Sequence, residues 1–408
     1  MLYLLQLILY NDVIISQFFS IVKFKMKIYA IICEFNPFHN GHAYLIEQAK
    51  KFSGADAVLC IMSGNFTQRG DMCILDKYVR ARHAVLSGVD CVIQLPSPFA
   101  VAPAEIFAKG AIKILSSIPD VSALVFGCES GNAESFKNAA KLLNEEPETF
   151  KTVLNEKLAL GESYIKSYAA AFEACGGDKN SVSNPNNVLG LEYAKAILKA
   201  KADIEILPVK RIGADYNDSE LKDNYSSASA IRKNLDCSEI RKNIPDFVFR
   251  DLKKAAGTDG YEFFLRACLF KSDANDLKRI YGCGEGLENK LKSLENERLE
   301  DIIANATSKR YPSSRIRRIL CANALGLYSD DCDEFLNGDL YIKPLAVKDT
   351  VKSKILSALS ASRFPVVTGA NKDALSGTAK KCFEKDFYEY SVYNHINRKT
   401  DKDYMIII

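Results

Sequence analysis

Ile32-Cys33-Glu34-Phe35-Asn36-Pro37-Phe38-His39-Asn40-Gly41-His42-Ala43-Tyr44-Leu45 joins two patterns of different period. Before the turn, residues 28–33 form a continuous apolar run rich in Ile, the composition of a strand buried on both faces. After it, residues 43–52 carry helical spacing. A polar turn between a buried strand and a helix is where an α/β fold holds anions, because the helix start offers free backbone N–H groups and a favourable dipole. Gly41 removes a side chain there, so that a phosphate can approach closely. His39 and His42 offer hydrogen bonds to phosphate oxygens whose charge rises in a transition state. The chain has only four histidines, and two of them fall in this turn. Taken alone, the same residues also read as ordinary polar positions at a helix start. The strand before them and a second motif downstream decide for the phosphate site.

The alternation continues outward. Residues 57–62 are a second apolar run, and 91–95, 123–126 and 204–209 read as the third, fourth and fifth strands, with helical patterns at 77–87 and 104–116. Gly88 is placed to end the helix at 77–87, and Pro96 and Pro98 stop the third strand. Helices follow through about residue 175. Strands alternating with helices predict an α/β, Rossmann-like parallel sheet covered on both faces. Ligands of such sheets bind beyond the carboxyl ends of the strands. After about residue 235 the alternation stops, and residues 247–256, 261–270, 286–294, 299–306 and 314–325 read as helices. The expected division is a Rossmann-like domain over 26–235 and a mostly helical domain over 236–408, whose last residues, 401–408, form a short strand.

Bulk properties narrow the class. The 408 residues suffice for two domains, and 48% hydrophobic with 26% charged residues is ordinary for a soluble globular protein. The formal charge of +3 means that any nucleic-acid surface has to be a local patch. Twelve cysteines lie at long spacings with no Cys-x-x-Cys pair and no Cys/His cluster, which argues against a zinc site; no metal-ligating set is expected. Reduced, mostly buried thiols in a cytosolic protein are the simplest explanation. Residues 1–25 are apolar, yet Asp12 interrupts them and Lys23 and Lys25 come last, the reverse of a secretory signal. Met26 then opens the strand M-K-I-Y-A-I-I-C. The preferred expectation is a natural start at Met26 and a non-native leader before it; a membrane-associating leader is the alternative. No stable membrane partner is expected.

The second motif is Ser226-Ser227-Ala228-Ser229-Ala230-Ile231-Arg232, just past the fifth strand. Ser226, Ser227 or Ser229 can cap a helix, and the exposed hydroxyls and N–H groups suit phosphate. Arg232 is placed to neutralise a leaving pyrophosphate. A serine-rich cap is common on its own. Paired with His39-Asn40-Gly41-His42 upstream, it resembles the class I nucleotidyltransferase superfamily. The residues between are similar to one family within it, the bacterial tRNA(Met) cytidine acetate ligases. The similar segments are M-S-G-N-F-T-Q-R-G-D (62–71), D-K-Y-x-R-A-R (76–82), G-V-D-C-V-I-Q-L-P (88–96), F-G-C-E (126–129), N-P-N-N-V-L-G-L-E-Y (184–193) and K-R-I-G-A-D-Y (210–216). The resemblance runs from Met26 to the C-terminus.

The resemblance implies a nucleotidyltransferase domain and an ATP-dependent reaction. Acetate attacks the α-phosphate to give acetyl-adenylate and pyrophosphate. The wobble cytidine of elongator tRNA(Met) then takes the acetyl group as N4-acetylcytidine, and AMP leaves. It also implies ATP along residues 32–45, with Gly127, Asn186, Arg211, Ile212, Ser226 and Ser227 completing the pocket. His39, His42 and Arg232 are the expected catalytic groups, and magnesium is expected to screen the triphosphate. The alternative for Asn186 is a helix cap, and for Arg211 a solvated charge. Glu34 closes the first strand, where a carboxylate serves a magnesium ion or a helix cap; the residues do not choose. Arg69, in the loop after the second strand, and the run Lys309, Arg310, Arg315, Arg317 and Arg318, with Tyr311 among them, are the expected tRNA contacts. The bland reading of both is solvated surface charge. Two other functions share these features: an adenylyltransferase acting on a small phosphorylated cofactor precursor, and a non-enzymatic RNA-binding protein that kept the fold. Intact His39, Gly41, His42, Ser226, Ser227 and Arg232 argue against the last.

Overall fold

The computed structural model describes residues 26–129, 131–177, 185–212, 220–370, 373–400 and 403–408. The expected leader at 1–25 lies outside the described residues, as do residues 184, 213–216 and 401–402 of the segments quoted above.

A seven-stranded sheet has the order β5-β4-β1-β2-β3-β6-β7. Five strands follow the apolar runs: β1 (Ile28–Cys33), β2 (Ala57–Ser63), β3 (Cys91–Leu95), β4 (Val121–Cys128) and β5 (Glu205–Lys210). These five are mutually parallel. Successive side chains point to opposite faces, so each strand feeds two cores. Ile28, Ala30, Leu59, Ile61 and Ile93 enter one, and Tyr29, Ile31, Val58, Cys60 and Val92 the other. Burial on both faces explains why the central runs of β1 and β2 are continuously apolar rather than alternating.

The helices that matter to the cleft are α1 (Asn40–Lys51), α2 (Lys77–Leu86), α3 (Pro185–Ala200), α4 (Ala228–Lys233), α5 (Asp259–Lys271), α6 (Ser313–Leu325) and α7 (Gly377–Ile396). The region after residue 236 is mostly helical, with its own core built on Leu265, Leu269, Ile302, Ile316 and Leu320. It also returns to the sheet. β6 (Pro344–Val347) pairs antiparallel with β3, and β7 (Ile406–Ile407) pairs parallel with β6. The sheet is thus shared by both stretches of the expected division. In the other direction, Phe66 and Met72, from the loop after β2, pack into the helical core. All twelve cysteines are free. No helix among the described residues is long and apolar enough to cross a membrane.

A buried charge cluster ties the tail to the sheet. Asp403 accepts from Lys77 Nζ at 2.9 Å and from the Tyr78 hydroxyl at 2.6 Å, and it also pairs with Lys343. Burial alone would raise the Asp403 carboxyl, but Lys77 and Lys343 hold it below the usual carboxylate range. Asp403→Asn leaves two buried ammonium groups without their counter-charge. The expected loss is about 3–5 kcal/mol of unfolding free energy in urea denaturation. A loss below about 1 kcal/mol, the size of a surface pair, contradicts this role.

Candidate functional site

The carboxyl ends of β1, β4 and β5 border a cleft with two adjoining lobes. Gly127, Tyr44, Leu45, Lys210 and Ile212 line the first. Thr67, Gln68, Arg69, Asp71, Ser227, Ser229 and Arg232 line the second. Ile32, Cys33, Glu34, Phe35, His39, His42, Asn186 and Arg211 belong to both. The floor between the lobes is therefore the turn that follows β1.

That turn is built by two reciprocal hydrogen bonds. His39 is the N-cap of α1, and its Nδ1 accepts from the Gly41 N–H at 3.1 Å. His42 Nδ1 accepts from the His39 N–H at 3.2 Å. This is a capping box made with imidazoles in place of the usual hydroxyl and carboxylate. The rings stack with centroids 3.6 Å apart. Phe35 and Phe38 pack their edges around His42. An Nδ1 that accepts must be unprotonated, so each neutral ring carries its proton on Nε2. Burial pushes His39 down to about 3, with Arg211 and Arg232 adding to the shift. Burial, then His39 and Arg211, hold His42 well below the usual histidine range. Both rings are therefore neutral Nε2–H donors at physiological pH.

Helix α1 begins at Asn40, three residues before the expected start, because the imidazoles supply the cap. Gly41 has a nearer constraint than the one read from the sequence: a Cβ there would sit 2.9 Å from His39 Cε1. Asn40 Nδ2 donates to the Asn224 carbonyl at 3.0 Å and the Lys242 carbonyl at 2.8 Å. It fastens the turn to the far segment that carries the second motif. Asn36 lines the second lobe, whereas Pro37, Phe38, Asn40 and Ala43 stand behind the lining.

The second motif divides. Ser227 caps α4, accepting from the Ala230 N–H at 3.0 Å. Ser226, expected to line the ATP pocket, instead closes a turn: its hydroxyl donates to the Lys222 carbonyl at 3.1 Å and accepts from the Lys222 N–H at 2.7 Å. Arg232 donates to the Asn36 carbonyl at 2.6 Å and lies 3.9 Å from Asp71 Oδ2. Gly127 leaves room for the Arg211 stem, whose Cγ would lie 3.4 Å from an added Cβ. Asn186 Nδ2 donates to Glu129 Oε1 at 3.0 Å.

The loop after β2 is held from four sides. Glu34 Oε1 accepts from the Gln68 N–H at 2.7 Å, which is neither of the two roles weighed for it. Buried Glu389 of α7 accepts from the Asn65 N–H, and burial pushes its carboxyl up to about 8. The Tyr261 hydroxyl donates to the Gly70 carbonyl at 2.6 Å. Arg318 donates to the Gln68 carbonyl at 3.4 Å. Gly70 has φ +80 and lies so close to α6 that a Cβ would meet the Arg317 carbonyl at 2.5 Å. Buried Arg80 bridges the strand ends beneath, donating to the Glu34, Ser63 and Leu75 carbonyls.

The basic run is consequently not one open face. Burial, then Arg315, hold Arg318 down at about 10. Arg315 donates to the Gly282 carbonyl at 2.8 Å and lies over Tyr311. Lys309 and Arg310 are exposed, and Arg310 pairs with Glu285. Leu189 and Tyr193 were not singled out from the sequence, although they follow Asn186 at helical spacing and line both lobes. Gln68 and Asp71 stood inside a quoted motif, but nothing in the chain marked them as lining.

A parallel α/β sheet with a histidine-capped turn at its carboxyl edge and a serine-capped helix facing it defines a nucleotidyltransferase. The HIGH Nucleotidyl Transferase family model matches residues 26–405. The chain is 35% identical to the tRNA(Met) cytidine acetate ligase of Acetivibrio thermocellus, across 84% of this chain and 88% of that one. It is 36% identical to the protein of that name from Clostridium novyi, across 90% and 96%. The crystal structure of Thermotoga maritima TmcAL in its apo form superposes with a TM-score of 0.84 at 27% identity, covering 94% of this chain and all of that one. The same protein bound with alpha-thio ATP gives 0.81 at 26% identity. The chain belongs to the tRNA(Met) cytidine acetate ligase family.

The neutral imidazoles carry a pH signature. The unfolded chain protonates its histidines below about pH 6.5, whereas folded His39 resists until about 3. The unfolded state then binds more protons, so stability falls as pH drops from about 6.5 toward 5, with up to ~1.4 kcal/mol per pH unit from His39. His39→Asn keeps a capping side chain and removes the titration. Its urea-unfolding free energy should fall less steeply over that window. An unchanged slope contradicts a neutral, buried imidazole.

Proposed function

We propose that the chain is an ATP-dependent, AMP-forming ligase that activates acetate as acetyl-adenylate and acetylates the wobble cytidine of elongator tRNA(Met) to N4-acetylcytidine. The observation that carries this reading is the pair of neutral Nε2–H donors, His39 and His42, on the floor of a cleft that Arg211 and Arg232 border. It is supported by a relative of the same family bound with alpha-thio ATP.

In this reading the first lobe takes adenosine. Gly127, Asn186, Arg211 and Ile212 surround it, and residues 32–45 run beneath the phosphates. Acetate oxygen attacks the α-phosphorus, and pyrophosphate leaves toward Arg232 and Ser227. His39 and His42 donate to phosphate oxygens as neutral groups. They stabilise charge by fixed dipoles and need no proton uptake. Catalysis comes from orientation and charge stabilisation, with no covalent enzyme intermediate. No group of three His, Cys, Asp or Glu among the described residues could hold a metal ion. Magnesium, where present, would ride on the triphosphate, held by its oxygens and water, and would screen the charge there.

The stretch 26–235 is the nucleotidyl-transfer unit and 236–408 the tRNA-facing unit. Arg69, Lys309, Arg310 and Arg317 are proposed to meet the tRNA backbone. Arg315 and Arg318 support them from within, since their guanidinium groups already hold carbonyls. A cytoplasmic location goes with this substrate.

The test is a reaction of the chain from Met26 with ATP, magnesium, labelled acetate and unmodified tRNA(Met), with nucleosides read by mass spectrometry. Labelled acetylcytidine is expected. Pyrophosphate release that needs some other small acceptor, with no acetylcytidine, would move the function to a different adenylyltransferase. His42→Ala should cut turnover about 100- to 1,000-fold with a smaller effect on ATP affinity. A sharp fall in ATP affinity with turnover at saturation intact contradicts the transition-state role.

A further inference from the structure

The exocyclic amine of cytidine is not basic, because its lone pair is delocalised into the ring. It attacks a carbonyl carbon effectively only if its proton is taken as the new bond forms. The ligase reading therefore requires a proton acceptor in the cleft, and few groups there can serve. His39 and His42 each spend Nδ1 on a backbone N–H. Burial pushes the Cys33 thiol up, so it stays protonated. Asp71 lines the second lobe alone and faces Arg232 at 3.9 Å.

Glu34 differs from all of these. It lines both lobes, as His39 and His42 do. Its Oε1 is held by the Gln68 N–H at 2.7 Å and the Ser63 hydroxyl at 3.5 Å, which fixes the carboxylate in place. Its Oε2 accepts nothing from the described residues and is not among the buried unpartnered atoms. One oxygen is anchored and the other opens to the cleft. Resting on the ligase reading above, we infer that Glu34 is the general base of the acetyl-transfer step.

The cytidine N4 lone pair forms the bond to the acetyl carbonyl carbon. The bond from that carbon to the phosphate oxygen breaks, and its electron pair leaves with AMP. The N4 proton passes to Glu34 Oε2, its N–H electron pair stays on nitrogen, and Glu34 later releases the proton to water. Burial raises the Glu34 carboxyl above the usual range, against the Gln68 N–H and the charges of Arg232 and Arg80, while Asp71 adds to the rise. A stronger base results. The transfer rate should rise with pH through a limb displaced above the ordinary carboxylate range.

Glu34→Gln keeps a carbonyl oxygen for the Gln68 N–H and removes the base. The experiment compares acetate-dependent ATP–pyrophosphate exchange with single-turnover transfer from acetyl-adenylate to tRNA(Met). The ratio of transfer to exchange should fall about 100-fold or more, and the acid limb of the transfer profile should vanish. Asp71→Asn should retain that limb. Exchange and transfer falling together in Glu34→Gln, or a limb that persists, overturns the assignment while leaving the ligase reading intact. If the unsubstituted chain forms no acetylcytidine, the ligase reading fails and this inference falls with it.

Discussion

The turn after β1 depends on two hydrogen bonds in which imidazole nitrogens accept from backbone N–H groups. A helix start leaves N–H groups without partners, and something must satisfy them. Here His39 and His42 do so through Nδ1. The consequence is chemical as well as structural. Capping fixes the tautomer, the tautomer puts the remaining proton on Nε2, and burial keeps the rings from taking another. Gly41 follows from the same arrangement, because the His39 ring lies where a Cβ would be. Asn40 extends it by tying the turn to the Asn224 and Lys242 carbonyls. The geometry of the cleft floor is thus a by-product of how one helix begins.

The loop after β2 shows how the two parts of the chain become one machine. Its N–H groups are taken by Glu34 and Glu389, and its carbonyls by Arg318 and Tyr261. Phe66 and Met72 sink into the helical core, while Thr67, Gln68, Arg69 and Asp71 line the second lobe. Polar lining on one side and apolar anchorage on the other put the helical region in mechanical contact with the second lobe of the cleft. Buried charge secures this from behind: Asp403 bridges Lys77 and Lys343, and Asp386 of α7 accepts from the Ser97 N–H at 2.6 Å.

Much of this was legible in the chain. β1 and β3 carry the bounds read from the sequence, because burial on both faces makes them apolar apart from Gln94, whose side-chain carbonyl accepts from Lys77. The cleft was legible too, since the turn, Gly127, Asn186, Arg211 and Arg232 meet at the carboxyl edge where a parallel sheet binds its ligand. Other features were not. Periodicity dates a helix from its first apolar residue, here Ala43, so the polar start at Asn40 was missed. β6 is four residues long and opens with Pro344, too short to show a period. Ser226 and Ser227 look alike in sequence, and only the Lys222 contacts separate a turn from a cap. The basic run reads as one patch because spacing along a helix says nothing of what the neighbouring loop demands. The charges that hold Asp403 come from residues hundreds of positions earlier or from a separate strand end, and no local pattern encodes them.

The most direct test of the capped turn is nitrogen NMR of the chain with labelled histidine at neutral pH, with resonances assigned by His39→Asn and His42→Gln. Both rings should show a protonated Nε2 and a bare, accepting Nδ1, and His39 should hold that state as the pH is lowered through 5. A proton on Nδ1 of either ring, or titration near the ordinary histidine value, would mean that the caps are not made and that the cleft floor is not the pair of neutral donors described.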